Sequence, residues 1–446
     1  MLLLIPQSPM EVWGGVECTI NRVREVYFDQ MERSGHRTRV EADLELFASL
    51  GLRKLRTGFH WEHVEGGSGW GSLDRTVAAM NRLGMSPIAG LVHHGSGPRW
   101  SSLLDPEFPV KLAAHALRVA ERYPSIVDYT PVNEPQTTGR FSCLYGHWFP
   151  HHRSMRSYVR ALYHQMKGIA LSMAAIRTVQ PGARLVHTED AGETFATPQM
   201  EMYRVEREQR RWLGADLLCG FVNRHHPMFR FLLEHGLTEA EVLSFAEEPC
   251  PPDVLGLNYY VTSDRFLDHR LHLYPSYMPG GDSGAEPLVD TEAVRVHPGG
   301  IAGTCRVLLE AWERYRVPLA ITEAHLGSDP DEQIRWLAEV WRGAEDARRC
   351  GADVRAVTVW ALLGSYDWCD LVTRNRGVYE PGVFDLRRVR AEGQPRRTEL
   401  AAVVAELAHG GVPEHPALFR QGWWHDPDRF TIPPYKESDV LQAVAV

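Results

Sequence analysis

Two glutamates close two short apolar runs that lie far apart in the chain. Thr130-Pro131-Val132-Asn133-Glu134-Pro135 ends one run and Ile321-Thr322-Glu323-Ala324-His325 ends the other. If both runs are strands of one closed parallel barrel, their carboxyl ends open on the same face, where barrel active sites lie. A carboxylate pair across such a mouth is what glycoside hydrolysis needs. One acid protonates the leaving oxygen, and the other attacks the anomeric carbon when the two groups stand about 5–5.5 Å apart. Asn133, beside the first acid, is placed to hold a sugar hydroxyl. Residue type and position alone leave a plainer reading open, in which both glutamates are solvated loop residues.

The pair can meet only if the chain supplies the barrel. Eight apolar runs read as strands: Val12 to Gly15, Lys54 to Thr57, Pro87 to His93, Val127 to Asn133, Arg184 to Thr188, Val254 to Tyr260, Pro318 to Thr322 and Val354 to Leu362. Amphipathic helical patterns separate them. Leu73, Val77, Met80 and Leu83 share one face and stop at Gly84, as a helix with a glycine terminus does. Val110 to Tyr123, Tyr158 to Val179 and Ile301 to Tyr315 behave alike, and Ser328 with an acidic turn after it predicts a capped helix over the following residues. The final helix is predicted from Arg397 to Ala408. Eight such units predict an α/β fold, a (β/α)₈ TIM barrel with helical and loop insertions, over residues 1–410. An open doubly wound sheet is disfavoured, because no glycine-rich phosphate loop follows the first strand and Gly66-Gly67-Ser68-Gly69 reads as a plain loop. Insertions fall at about 191–251, with Thr238 and Glu241 spaced as a capping box, and at about 266–298. Residues 411–446, rich in Pro, Trp and His, read as a tail packed on or beside the barrel.

Composition narrows the function. Of 446 residues, 48 are basic and 57 acidic, a net charge of −9 with no basic block, which argues against nucleic acid. The apolar run Met1 to Ile5 is too short for a signal peptide or a membrane span. Seven scattered cysteines without a CxxC fit neither a disulfide framework nor a zinc site and point to a reducing cytoplasm. The pairs His93-His94, His151-His152 and His225-His226 are adjacent residues, which face opposite ways on a strand and lack the spacing of a zinc helix. No metal and no cofactor is expected; the expected partner is a small-molecule glycoside.

These motifs resemble glycoside hydrolase family 1, the β-glucosidase family. The Glu134 segment is similar to that family's Thr-Phe-Asn-Glu-Pro acid/base motif with one extra residue, and Ile321-Thr322-Glu323 to its nucleophile motif. Val254-Leu255-Gly256-Leu257-Asn258-Tyr259-Tyr260 resembles its sixth strand, and Asp353 through Trp368 its eighth; the resemblance runs from about Trp13 to Asp385. It implies Glu134 as acid/base and Glu323 as nucleophile. It also implies Arg56 and Tyr260 against the nucleophile with Asn258 assisting, His93 on sugar hydroxyls and Trp360 under the sugar ring. A narrower likeness, in Trp13 to Arg22, Val92 to Pro98 and Tyr145 to Trp148, is to the branch fused to bacterial dTDP-4-dehydrorhamnose reductases. That likeness suggests a functional link to a deoxysugar pathway.

The departures from the family cluster at the sugar-hydroxyl contacts. A first-strand glutamine becomes Asn21, with Glu17 nearby; Trp-Asp after the third-strand histidine reads His94-Gly95. A hydroxyl-gripping glutamate becomes the shorter Asp367, followed by Trp368, and Asn-Gly after the nucleophile reads Ala324-His325. The expected function is a retaining β-glycosidase whose glycone is not plain glucose. Two alternatives stand beside it: a transglycosidase using the same intermediate, and a non-catalytic sugar-binding or partner module.

Overall fold

The computed structural model describes residues 9–278 and 287–434. The Met1–Ile5 run, the far end of the tail and part of the second insertion lie outside the described residues. Eight parallel strands close into a barrel: β1 Glu11–Gly15, β2 Lys54–Gly58, β3 Ser86–His93, β4 Asp128–Asn133, β5 Arg184–Asp190, β6 Val254–Asn258, β7 Leu319–Ala324 and β8 Val354–Val359. Each pairs with its sequence neighbours, and β1 closes on β8. The eight apolar runs read from the sequence are these eight strands, displaced by at most a few residues.

Trp13, Ile88, Val186, Val254, Ala320 and Ala356 form one buried cluster from the inward faces of six strands, the side-chain layer that makes a barrel a packed core rather than a pore. Below it, Asp128 accepts from Lys54 and Arg184. Helices Gly71–Leu83, Phe108–Arg122, Met155–Val179, Thr304–Tyr315 and Pro330–Arg349 cover the outside. Gly84 ends the first of these with φ 64°, a left-handed conformation that favours glycine at a helix terminus.

Three expectations shift. Asp329, not Ser328, caps the Pro330 helix, accepting from the Glu332 N–H, because the acid one residue on presents its oxygen at the cap position. The last helix is Leu400–Ala408, since Arg396–Arg397 pairs with Phe384–Asp385 instead. Val64–Ser68 forms a π-helical turn where the glycines read as a loop. The Thr238–Glu241 capping box is present on both sides.

The two insertions are joined to each other. Thr194–Ala196 from the first pairs in parallel with Arg265–Asp268, which in turn pairs antiparallel with Val289–Glu292 from the second. Arg207 and Arg265 both hold Asp290.

Downstream, Trp424 is fully buried edge-on against Trp336 of the Pro330 helix and donates to Glu339. Trp424→Ala removes a large buried ring and its hydrogen bond. It is expected to destabilise the fold by about 3 kcal/mol, read as a lowered denaturant midpoint at unchanged slope.

Candidate active site

Strand register brings the chemistry to one layer at the carboxyl end of the barrel. Gly15 lies opposite Arg56, His93 opposite Asn133, Asn133 opposite Thr188, and a register irregularity sets Glu323 opposite Asn258. Arg56 spans the space between them. Its Nη1 donates to the Thr322 carbonyl at 2.6 Å and to Glu323 Oε1 at 3.0 Å, and its Nη2 donates to Asn133 Oδ1 at 2.9 Å. Tyr260 Oη donates to Glu323 Oε2 at 2.5 Å, so both Glu323 oxygens are held. Asn258 Nδ2 donates to Glu134 Oε1 at 2.6 Å while its Oδ1 accepts from Thr322 at 2.7 Å. The two carboxylates therefore belong to one hydrogen-bonded network.

Glu134 follows the last β4 residue and starts the short helix Pro135–Gly139. It sits at φ 43°, ψ 63°, a left-handed conformation costing a non-glycine residue about 1 kcal/mol; such strain gathers at functional sites. Its N–H donates to the Thr188 carbonyl, which fixes the turn.

The electrostatics separate the two acids. Both are buried. Burial pushes the Glu323 carboxyl up; Arg56 and Tyr260 pull it back, and it settles at about 7. Desolvation outweighs the guanidinium. Glu134 goes well above the usual carboxylate range through burial first, then the charges of Glu323, Asp190 and Glu189. No lysine or arginine lies within 4 Å of Glu134 among the described residues; its nearest basic group is His94, at 3.9 Å. Of the pair, the acid without a cation is the one that keeps its proton.

The hydrogen bonds fix the histidine tautomers. Asn133 Oδ1 accepts from Arg56 and from Thr188 Oγ1, so its Nδ2 faces His93 Nε2 at 3.0 Å. That nitrogen must accept, which leaves Nδ1–H to donate to Cys18 Sγ at 3.3 Å. Thr138 Oγ1 donates to the Asn133 carbonyl and so accepts from His94 Nδ1, leaving a His94 Nε2 lone pair that Asn133 Nδ2 approaches at 3.5 Å and that lies 3.9 Å from Glu134 Oε2. Burial holds both rings neutral, with His94 at about 3.

Trp360 lies parallel to His93 with ring centroids 5.6 Å apart, and the Arg56 guanidinium is 5.0 Å from its centroid. A Cβ at Gly15 would stand 2.1 Å from Trp360 Cε3, so that position admits only glycine. Trp360 Nε1 donates to Glu17 Oε2 at 3.2 Å, while Glu17 Oε1 accepts from the Thr19 N–H.

Arg56, His93, Asn133, Glu134, Asn258, Tyr260, Glu323, Trp360 and Glu17 thus converge. Asp367 and Asn21 instead make contacts with the loop after β8. The Asp367 carboxylate accepts from Arg33 at 2.7 Å and from the N–H groups of Arg376, Gly377 and Val378, which fills both oxygens inside its own loop. Asn21 donates to the Val372 carbonyl of the same loop. Shortening the family's glutamate to aspartate draws the carboxyl back to the backbone. Trp368 packs edge-on to His94, and His325 turns toward Glu380, its Nε2 3.9 Å from Oε2.

Sequence reasoning missed Glu189, Asp190 and Glu380. The first two end β5, two residues past the predicted stop at Thr188; a longer strand would have exposed them to the same strand-end rule that found Glu134. Glu380 lies in a short hairpin pairing with Ser365–Tyr366, and no local pattern signals it.

No family model matches the chain. A beta-galactosidase from Saccharolobus solfataricus is 22% identical over 315 residues, which take in 68% of this chain and 59% of that relative. A family 1 β-glucosidase from Thermotoga maritima superposes with a TM-score of 0.70 at 14% identity, over 92% of this chain and 100% of that one. The Thermotoga β-glucosidase in complex with deoxynojirimycin gives 0.69 at 15% identity over the same shares. These structures share the barrel fold.

A raised carboxyl pKa has a consequence for stability. In the unfolded chain Glu134 loses its proton around 4.5, whereas in the fold it keeps the proton to higher pH. The native state then binds more protons, and stability falls as pH rises above about 4.5. Glu134→Gln keeps an oxygen for Asn258 and removes the titration. Its melting temperature is expected to exceed wild type by roughly one to three degrees at pH 7.5 and to match it near pH 4.5. Thermal melts at the two pH values check this.

Proposed function

We propose that the protein is a retaining β-glycosidase related to the family 1 enzymes, with Glu323 as nucleophile and Glu134 as acid/base. The observation that carries the reading is the asymmetry of the pair: two buried carboxylates in one network, one with Arg56 and Tyr260 on its oxygens and the other with no cation. Two acids whose surroundings push them apart take opposite roles.

In the first step Glu134 gives its proton to the glycosidic oxygen while Glu323 attacks the anomeric carbon, forming a glycosyl ester. Arg56 and Tyr260 orient the attacking oxygens and hold the carboxylate released later. Esterification removes the Glu323 charge, which is the largest charge raising Glu134. The Glu134 pKa then falls, and the same group takes a proton from water in the second step. The His94 Nε2 lone pair is placed to face the proton on Glu134.

The glycone is not held as a plain glucoside. Of the positions that would grip hydroxyls by resemblance, Asp367 is spent on the loop after β8 and Asn21 gives its Nδ2 to the same loop. The deoxysugar link rests on the narrower sequence likeness alone. Placement in the cytoplasm rests on the cysteine pattern.

Glu323→Gln is expected to lower kcat on an activated aryl β-glycoside by roughly 10³-fold or more, with a 2-fluoro glycoside labelling wild type at Glu323 by intact mass. A sugar-binding module would instead bind glycosides equally well in both forms and take no label. The kcat/KM profile of wild type is expected to be bell-shaped. Its acid limb should lie near 7, where Glu323 ionises, and its alkaline limb higher, where Glu134 loses its proton.

A further inference from the structure

Beside the catalytic pair lies a set of polar groups that the mechanism above does not use. Glu17 is buried on β1's outgoing loop, where the Thr19 N–H and the Trp360 indole donate to it and the Thr19 and Trp368 side chains also favour its charged form. Glu380 is half-buried with no hydrogen-bond donor on it among the described residues, and the Glu17 charge raises its carboxyl after burial does. His325 has only 9% of its side chain exposed, yet its Nε2 is buried with no partner and aims at Glu380 Oε2 from 3.9 Å, too far for a direct bond. Burial keeps the ring neutral at about 4, with the Trp360 carbonyl the group that raises it, so one ring nitrogen carries a lone pair. Trp360 joins the groups, with Glu17 on its indole edge and His325 on its carbonyl.

The free positions on both carboxylates are acceptors. Neither carboxylate has a lysine or arginine within 4 Å among the described residues, and buried carboxylates left without a cation are costly. A neutral hydroxyl brings one donor and no charge, whereas an ammonium brings three donors and the missing charge. We infer that Glu17, Glu380 and His325 form a subsite for a cationic amino group on the glycone, so that the substrate is a β-linked amino sugar. This rests on the glycosidase reading for the word substrate, and on the geometry alone for the binding.

The test uses the full chain at pH 6 and methyl β-glycosides in which the hydroxyl at C2, C3, C4 or C6 is replaced by an ammonium. The N-acetylated and all-hydroxyl sugars are the comparison, and binding is measured by calorimetry. One ammonium sugar is expected to bind roughly ten-fold or more tighter than both its acetamide and its parent, as a charge-assisted bond allows. Glu17→Gln and Glu380→Gln should each shrink that ratio. Wild-type protein binding ammonium and hydroxyl sugars equally overturns the inference, as does a ratio untouched in both variants with their melting curves intact. Aryl versions of the same sugars separate the two readings. Tight ammonium binding without turnover or labelling of Glu323 keeps the subsite and sinks the glycosidase; turnover without ammonium preference does the reverse.

Discussion

The site depends on the placement of one guanidinium. Arg56 is rigid and planar, and its fork meets a backbone carbonyl and a carboxylate on one nitrogen and a side-chain amide on the other. Those three acceptors come from β7 and β4, so a single side chain on β2 sets the spacing of strands that are not its neighbours. Lysine, with one point charge, would hold one of these partners and leave the rest unsatisfied in a buried layer. The orientation of Asn133 follows from Arg56, the tautomer of His93 follows from Asn133, and the Cys18 contact follows from His93. A chain of hydrogen bonds thus carries one geometric decision across half the mouth.

Charge at the mouth is far from balanced. Glu17, Glu134, Glu189, Asp190, Glu323 and Glu380 gather there, against Arg56 beside Glu323 and Arg140, whose nearest acid is Asp190 at 3.8 Å. Burial and mutual repulsion work in the same direction, so protons are retained to higher pH than solvated glutamates would allow. Glu189 shows the effect away from Glu134 and Glu323: burial carries it to about 8 even with a backbone N–H bound. Such a site stores folding free energy that a neutral substitution would return, a common cost of catalytic groups.

The barrel was legible because its signal is local. Each of the eight strands is a short apolar run between glycine or proline and an amphipathic helix, and each appears within a few residues of its expected place. The strand-end rule found Glu134 and Glu323 for the same reason. What stayed hidden depends on register and on side-chain direction. Glu189 and Asp190 needed a strand two residues longer. Asp367 and Asn21 lie where the resemblance puts them, yet their side chains turn into the loop after β8, a choice made by Arg33 and three backbone N–H groups that no sequence window contains. Capping likewise moved by one residue, from Ser328 to Asp329, because either side chain suits the position and only the path of the chain decides.

The loop after β8 ties together Asn21 and Asp367, two of the positions that depart from the resemblance. Leu371 and Val372 both hold positive φ, 51° and 50°, an unfavourable conformation for a leucine and worse for a β-branched valine. Their carbonyls are pinned by Trp148 Nε1 at 2.7 Å and Asn21 Nδ2 at 3.1 Å, and Asp367 gathers the N–H groups of the residues that return to the barrel. Asn21 and Asp367 are therefore two ends of one brace. A change of Asp367 to a longer acid would push its carboxyl out of the backbone cradle and release the loop that Asn21 holds from the other side. Neither residue can turn away from this loop without loosening the segment that the other holds, so the two placements form one structural arrangement. The carboxylate of Glu17, reached from β1, stays on the indole of Trp360 outside this brace.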